Sequence, residues 1–240
     1  MSENLHTILN NCEVMLFDVC NTFMFGTDRF SEKENYLETY KKIGGNNLNP
    51  DEIKKIISEL LKLMVTESRN ETLFESIPPI HEYINRLEIS KNLSEEEKFK
   101  IERVFELHEV GTVSQEYIDI LKKLSKKYEL GIISNICSNS KIFKQAFDAA
   151  GISDLFEVVV FSSEHNFIKP SPKIFQEAVK NFDVPLEKIV YVGDHLIRDV
   201  LGAQSIGIKA IWVETQQRWK YDKPIIPDAQ IKHLRELILN

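Results

Sequence analysis

Apolar residues follow two rhythms along this chain. Val14-Met15-Leu16-Phe17 runs four apolar positions without alternation, as suits a strand buried on both faces, and closes abruptly on Asp18. A carboxylate placed there emerges at the strand's C-terminal edge, where open α/β sheets hold their ligands; alone, it also reads as a solvated turn. From about Phe30 to Glu109 the rhythm becomes helical. Asn49-Pro50-Asp51-Glu52 combines a capping Asn, a Pro at the first helical position and acids in the first turn. It leads into Ile53, Ile56, Ile57, Leu60, Leu61 and Met64 at helical spacing. Ser94-Glu95-Glu96-Glu97 predicts a capping box and a second helix through Phe99, Val104, Phe105 and Leu107. Tyr36 to Ile43 and Ile80 to Leu87 predict two more.

From Ser114 helix and strand alternate, the signature of a doubly wound parallel sheet with right-handed crossovers. Helices are predicted over Gln115 to Tyr128, Asn139 to Ala150, Ser171 to Asn181 and Leu196 to Ser205. Strands are predicted over Leu130 to Ser134, Val158 to Phe161, Ile189 to Val192 and Ile208 to Val213. The tail, Ile231 to Leu239, reads as a closing helix. Residues 1 to 13 read as a polar lead-in, frayed or forming a short helix through Leu5, Ile8 and Leu9.

Three later stretches are built like the first. Leu130-Gly131-Ile132-Ile133 ends in Ser134-Asn135; Ile189-Val190-Tyr191-Val192 ends in Gly193-Asp194, with Asp199 beyond; Lys169 opens Lys169-Pro170-Ser171-Pro172. In this order the four stretches resemble the haloacid dehalogenase superfamily, whose members are mostly phosphatases. The resemblance runs from about Val14 to the C-terminus, apart from the segment after the first strand. It implies an α/β fold, a Rossmann-like core with an inserted all-α cap: residues 1–26 and 112–240 as core, 27–111 as a cap closing over the site. Gly26 and Gly111 would sit in the linkers and absorb hinge rotation.

Phosphoryl transfer needs a nucleophile, a metal and donors aimed at the phosphoryl oxygens. The resemblance casts Asp18 as the nucleophile that forms an aspartyl-phosphate. Asp194, Asp18 and the main-chain carbonyl of Cys20 would hold Mg²⁺, with Asp199 supporting the metal's water shell or orienting Lys169. Lys169 would offset the clustered charge and bind substrate, and Ser134 and Asn135 would bind phosphoryl oxygens. His195 and Arg198 read as surface residues; His81, Arg29 and Arg69 in the insert could touch substrate, with a solvated face the better reading of each.

One residue departs from the pattern. The phosphatases carry Asp-x-Asp-x-Thr, and here Cys20 stands in place of the second Asp. That Asp protonates the leaving oxygen and later activates water, help worth roughly 10²–10⁴-fold. A thiol is a poor substitute, so low turnover, a preference for activated esters and slow opening of the aspartyl-phosphate are expected. Dehalogenase relatives carry Tyr at this position and phosphonatases Ala. A catalytically weakened binding or regulatory protein, or a phosphonate or carbon-halogen hydrolase, are therefore alternatives to a phosphatase.

The composition narrows this further. The 240 residues are 42% hydrophobic, enough for a packed interior. A net charge of −7 argues against nucleic acid as a default partner; the resemblance implies a small phosphorylated metabolite instead. Three cysteines without staple-like spacing favour a reduced, cytoplasmic setting. No stretch reads as an export signal or membrane span. The pattern leaves substrate identity and oligomeric state open.

Overall fold

The computed structural model describes residues 3–214 and 224–238. Six strands form one parallel sheet: β1 (Val14–Phe17), β2 (Glu129–Ser134), β3 (Phe156–Phe161), β4 (Ile189–Gly193), β5 (Lys209–Val213) and β6 (Ala229–Ile231), in the order β3-β2-β1-β4-β5-β6. β1 lies inside the sheet, with Phe17 level with Ile132 of β2 and Val192 of β4. Between β3 and β4 the chain passes from one side of β1 to the other. Such a reversal opens a crevice beyond the C-terminal strand ends.

The N-terminal residues are not a frayed lead-in. They form α1 (Glu3–Asn11), whose Leu5, Ile8 and Leu9 share one face and are buried in the core, while the Tyr128 hydroxyl donates to Leu9 O (3.0 Å). Three large apolar side chains at i, i+3 and i+4 suffice, because burying each contributes about 1.5–3 kcal/mol.

After β1 the chain leaves the sheet for a helical insert: α2 (Tyr36–Lys42), α3 (Pro50–Glu67), α4 (Ile80–Arg86) and α5 (Glu95–Glu109). It has its own apolar cluster, in which Tyr40, Ile57, Leu60, Tyr83, Ile101 and Phe105 are buried. Asn49 and Glu52 form the full capping box of α3, with Asn49 Oδ1 accepting from Asp51 N and Glu52 N, and Glu52 Oε2 accepting from Asn49 N. At α5 only half of the predicted box forms. Ser94 Oγ accepts from Glu97 N (3.3 Å), but the Glu97 carboxylate turns inward to the Tyr40 hydroxyl and to Lys100 Nζ.

The two linkers of the insert pair with each other. Phe25 and Thr112 exchange two backbone hydrogen bonds of 2.9 Å, and the Arg29 guanidinium donates to Gly26 O, Val110 O and Leu107 O. A Cβ on Gly111 would stand 2.4 Å from Phe25 O, so glycine there serves this close approach rather than rotation. Arg29, read as a surface cation, is a staple.

Alternate strand residues face opposite sides of the sheet, and both sides are covered. Met15, Phe17, Ile132 and Val192 pack with α1, α6 (Gln115–Leu124) and α7 (Ser140–Ala150). Leu16, Ile133 and Tyr191 pack with α8 (Pro172–Val179) and a segment in which the π-helical turn Leu196–Leu201 runs into α9 (Gly202–Gln204). The predicted helix from Leu196 thus begins as a wider turn.

The predicted closing helix is corrected. Ile231 ends β6, pairing with Val213, and Ala229 and Ile231 point inward on either side of exposed Gln230. Only the 3-10 turn Leu234–Leu237 follows, and Leu239 lies outside the described residues. A two-residue period wins where a sheet edge is there to receive it.

Candidate active site

Asp18 N donates to Val192 O (2.9 Å), which fixes the residue at the sheet's edge. Its Oδ1 accepts from Lys169 Nζ (2.6 Å) and Ser134 Oγ (3.0 Å), while Oδ2 takes only a longer bond from Thr22 Oγ1 (3.3 Å). Lys169 is 2% exposed. Its three N–H donors meet three acceptors: Asp18 Oδ1, Asp199 Oδ1 (2.6 Å) and the Tyr191 hydroxyl (2.8 Å). That hydroxyl lies 2.8 Å from Ile133 O, its acceptor. The structure therefore brings together Asp18, Ser134, Lys169 and Asp199.

Asp199 is held on its other side too, its Oδ2 accepting from His195 N (2.8 Å). A Cβ on Gly193 would fall 2.5 Å from Asp199 Oδ2, the steric reason for glycine before Asp194. Asp194 is buried, and its main-chain oxygen accepts from Trp212 Nε1 (2.8 Å). Asn135 is engaged by the backbone of Lys169: Lys169 N donates to Asn135 Oδ1 (2.8 Å) and Asn135 Nδ2 donates to Lys169 O (3.1 Å). Cys20 is partly buried and pairs with Met24 in an isolated bridge beside the cleft. The cleft itself, about 990 Å³, is bounded by Asp18, Cys20, Asp28, Arg69, His195 and Arg198 among others. His195, Arg198 and Arg69 thus line it, whereas His81 pairs with Glu95 and Glu102 in the insert.

Ligand atoms of Asp18, Asp194 and Asp199 lie within 4.8 Å of one another, all buried. Burial, joined by the charges of Asp18 and Asp199, pushes the Asp194 carboxyl up to about 8. Burial likewise raises Asp18, against the pull of Lys169 and Ser134. Burial pulls the Lys169 ammonium down, but Asp18 and Asp199 outweigh it and hold its pKa above the ordinary value. Three carboxylates facing one ammonium leave an excess of negative charge on oxygen donors, which fits a hard divalent cation such as Mg²⁺.

Three participants escaped the sequence reading. Tyr191 sat in an apolar strand, where its polar tip was the only signal. Glu109, the last residue of α5, is buried, and its carboxylate accepts from Cys137 N (2.7 Å) and Ser138 N (2.8 Å) in the loop after Ser134. Asp28 opens into the cleft.

The profile of haloacid dehalogenase-like hydrolases matches residues 16–213, and the chain belongs to that family. A 5-amino-6-(5-phospho-D-ribitylamino)uracil phosphatase of Escherichia coli is 32% identical over 130 residues, 52% of this chain and 51% of that one. A phosphoserine phosphatase of Thermus thermophilus is 37% identical over 90 residues, 38% of this chain and 36% of that one. The matched segment spans about half or less of these relatives. In overall fold the chain is similar to a phosphatase of the family from Thermococcus onnurineus, with a TM-score of 0.61, 25% identity, and 94% and 95% of the two chains covered. The L-2-haloacid dehalogenase of Xanthobacter autotrophicus has the same fold, with a TM-score of 0.64 at 14% identity over 94% and 96% of the two chains.

Proposed function

We propose that this chain is a Mg²⁺-dependent phosphatase of small phosphorylated metabolites that works through an aspartyl-phosphate on Asp18. The observation that carries this reading is the convergence on Asp18 of side chains from three other stretches, those of Ser134, Lys169 and Asp194–Asp199. Lys169 and Ser134 both engage Oδ1, which leaves Oδ2 as the oxygen to attack phosphorus. Lys169 and Ser134 then face the phosphoryl oxygens, and Tyr191 and Asp199 hold Lys169 in place. Asn135 acts by fixing the Lys169 backbone beside the phosphoryl site. Asp18, Asp194 and the Cys20 carbonyl would hold Mg²⁺, with Asp199 behind them, and the bound ion would neutralise charge on the phosphoryl group.

Two of the relatives named above are phosphatases of 5-amino-6-(5-phospho-D-ribitylamino)uracil and of phosphoserine, which supports the substrate class. Nucleic acid is not among the proposed partners, given the net charge of −7. Among the described residues no helix is long and apolar enough to cross a membrane, and a cytoplasmic setting is part of the proposal. A second reading, a weakened relative kept for binding or regulation, is favoured by Cys20. A carbon-halogen or phosphonate hydrolase would also use Asp18, but the cluster of three carboxylates favours a metal-assisted phosphatase.

The test is phosphate release from a panel of phosphorylated metabolites with and without Mg²⁺. Mg²⁺-dependent release that disappears in Asp18→Asn is expected. A folded wild type that binds these metabolites yet releases no phosphate would favour the binding reading instead.

A further inference from the structure

Hydrolysis of an alkyl phosphate requires a proton for the leaving oxygen, and Cys20 is poorly suited to give it. A thiol is a weak hydrogen-bonding acid, and its side chain is shorter than the carboxylate it replaces. The other groups around the cleft are mostly committed. His195 Nδ1 accepts from Ile197 N and Arg198 N (3.2 Å each). Asp194 and Asp199 belong to the carboxylate cluster. Glu71 stands on a short 3-10 turn of the insert.

Asp28 differs from all of these. It lines the cleft that holds Asp18 and Cys20 and also the adjoining chamber beneath the insert. Its charge acts on the Cys20 thiol, and that of Asp18 acts on it. Its backbone is left-handed (φ 53°), held by Asp28 N donating to Glu109 O (3.1 Å) and Phe30 N donating to Asp28 O (2.8 Å). Among the described residues nothing donates a hydrogen bond to its carboxylate. Its carboxylate thus faces the reaction cleft without a hydrogen-bond donor.

We propose that Asp28 replaces residue 20 as the acid-base group of this active site. The proposal rests on the phosphatase reading above. In the first step Asp18 forms a bond to phosphorus, the ester P–O bond breaks, and its electron pair stays on the leaving oxygen, which takes the Asp28 proton and departs as the alcohol. In the second the Asp28 carboxylate takes a proton from water as that water attacks phosphorus. The bond to Asp18 breaks, its carboxylate is restored, and inorganic phosphate leaves.

The surroundings suit this role. Protein around Asp28, together with Asp18, pushes its carboxyl up to about 6, with Arg198 pulling the other way; Glu109, Cys20 and Cys137 are the other titratable groups coupled to it. A group titrating there gives and takes a proton near neutral pH.

The experiment compares kcat/KM on glycerol phosphate, an alkyl ester, and 4-nitrophenyl phosphate, an aryl ester whose leaving group needs no proton. The proteins are wild type, Asp28→Asn, Cys20→Asp, the double variant and Glu71→Gln, across pH and with Mg²⁺. Asn tolerates the left-handed backbone, so Asp28→Asn isolates the proton. It should lower the alkyl-to-aryl ratio about tenfold or more, and Cys20→Asp in the same chain should restore it. The wild-type alkyl profile should fall above pH about 6, a limb missing in Asp28→Asn. A ratio that Asp28→Asn leaves unmoved, an equal loss on both esters, or a fall in Glu71→Gln instead overturns the proposal. No Mg²⁺-dependent turnover of the aryl ester by wild type overturns the phosphatase reading itself, and this proposal with it.

Discussion

Lys169 shows how much a single residue carries. Its buried ammonium meets two carboxylates and a phenol, so each of its three N–H donors has an acceptor. Tyr191→Phe removes both the acceptor for Lys169 and the donor to Ile133 O, and should cost about 1–3 kcal/mol in urea unfolding. Asp194, Glu109 and Asp28 are all pushed up, to about 8, 7 and 6. The sign follows directly. A raised carboxyl binds its proton more tightly in the folded state, so these groups favour folding most below their ordinary range near pH 4. Their contribution is lost as pH rises to about 8. The metal-free protein should therefore lose stability across that window, and Asp194→Asn should raise its Tm while abolishing stabilisation by Mg²⁺. A metal-free Tm unchanged by the substitution would mean the carboxylates do not repel one another as described. Asp18, Ser134, Lys169 and Asp194 were legible in the sequence because each adjoins an apolar run or a Pro-marked turn. Tyr191 was not, since a Tyr within a strand reads as apolar, nor was Glu109, at the end of an acid-rich helix that reads as a solvated face.

Among elements, those with a strong period of their own were legible and those completed by a distant partner were not. α3 begins where Asn49-Pro50 places it, and β1, β2 and β4 match their apolar runs closely. α1 depends on the sheet to bury Leu5, Ile8 and Leu9, and β6 depends on the edge of β5, which no local window contains. Leu9→Ala should cost about 2–5 kcal/mol of the whole protein's stability, since the vacated volume lies in the core. A loss below about 1 kcal/mol in urea unfolding would put α1 outside the cooperative unit. Gly111→Ala meets Phe25 O at 2.4 Å and should separate the paired linkers, seen as faster amide exchange at Phe25 and Thr112.

At the scale of the whole molecule, the insert and the sheet keep separate apolar clusters but share the site. Glu109 ties the end of α5 to the loop after Ser134, Arg198 reaches Ser68 of the insert (3.4 Å), and Asp28 follows the first linker. We propose that residues 27–111 act as a lid that excludes water during transfer. Excising them should leave a folded sheet domain with altered ester selectivity, and a product that does not fold would make the insert integral structure. The division into a parallel core and a helical insert was legible because the apolar period changes on either side of it. The way the insert reaches into the catalytic loop was not, because those contacts join residues far apart in sequence. The central claim is that Asp18 carries the phosphoryl group. Acid quenching during turnover of an aryl phosphate with Mg²⁺, followed by peptide mass spectrometry, tests it most directly. A phosphorylated Asp18 in the wild type, absent from Asp18→Asn, is the expected result; Mg²⁺-dependent turnover with Asp18 never phosphorylated would contradict it.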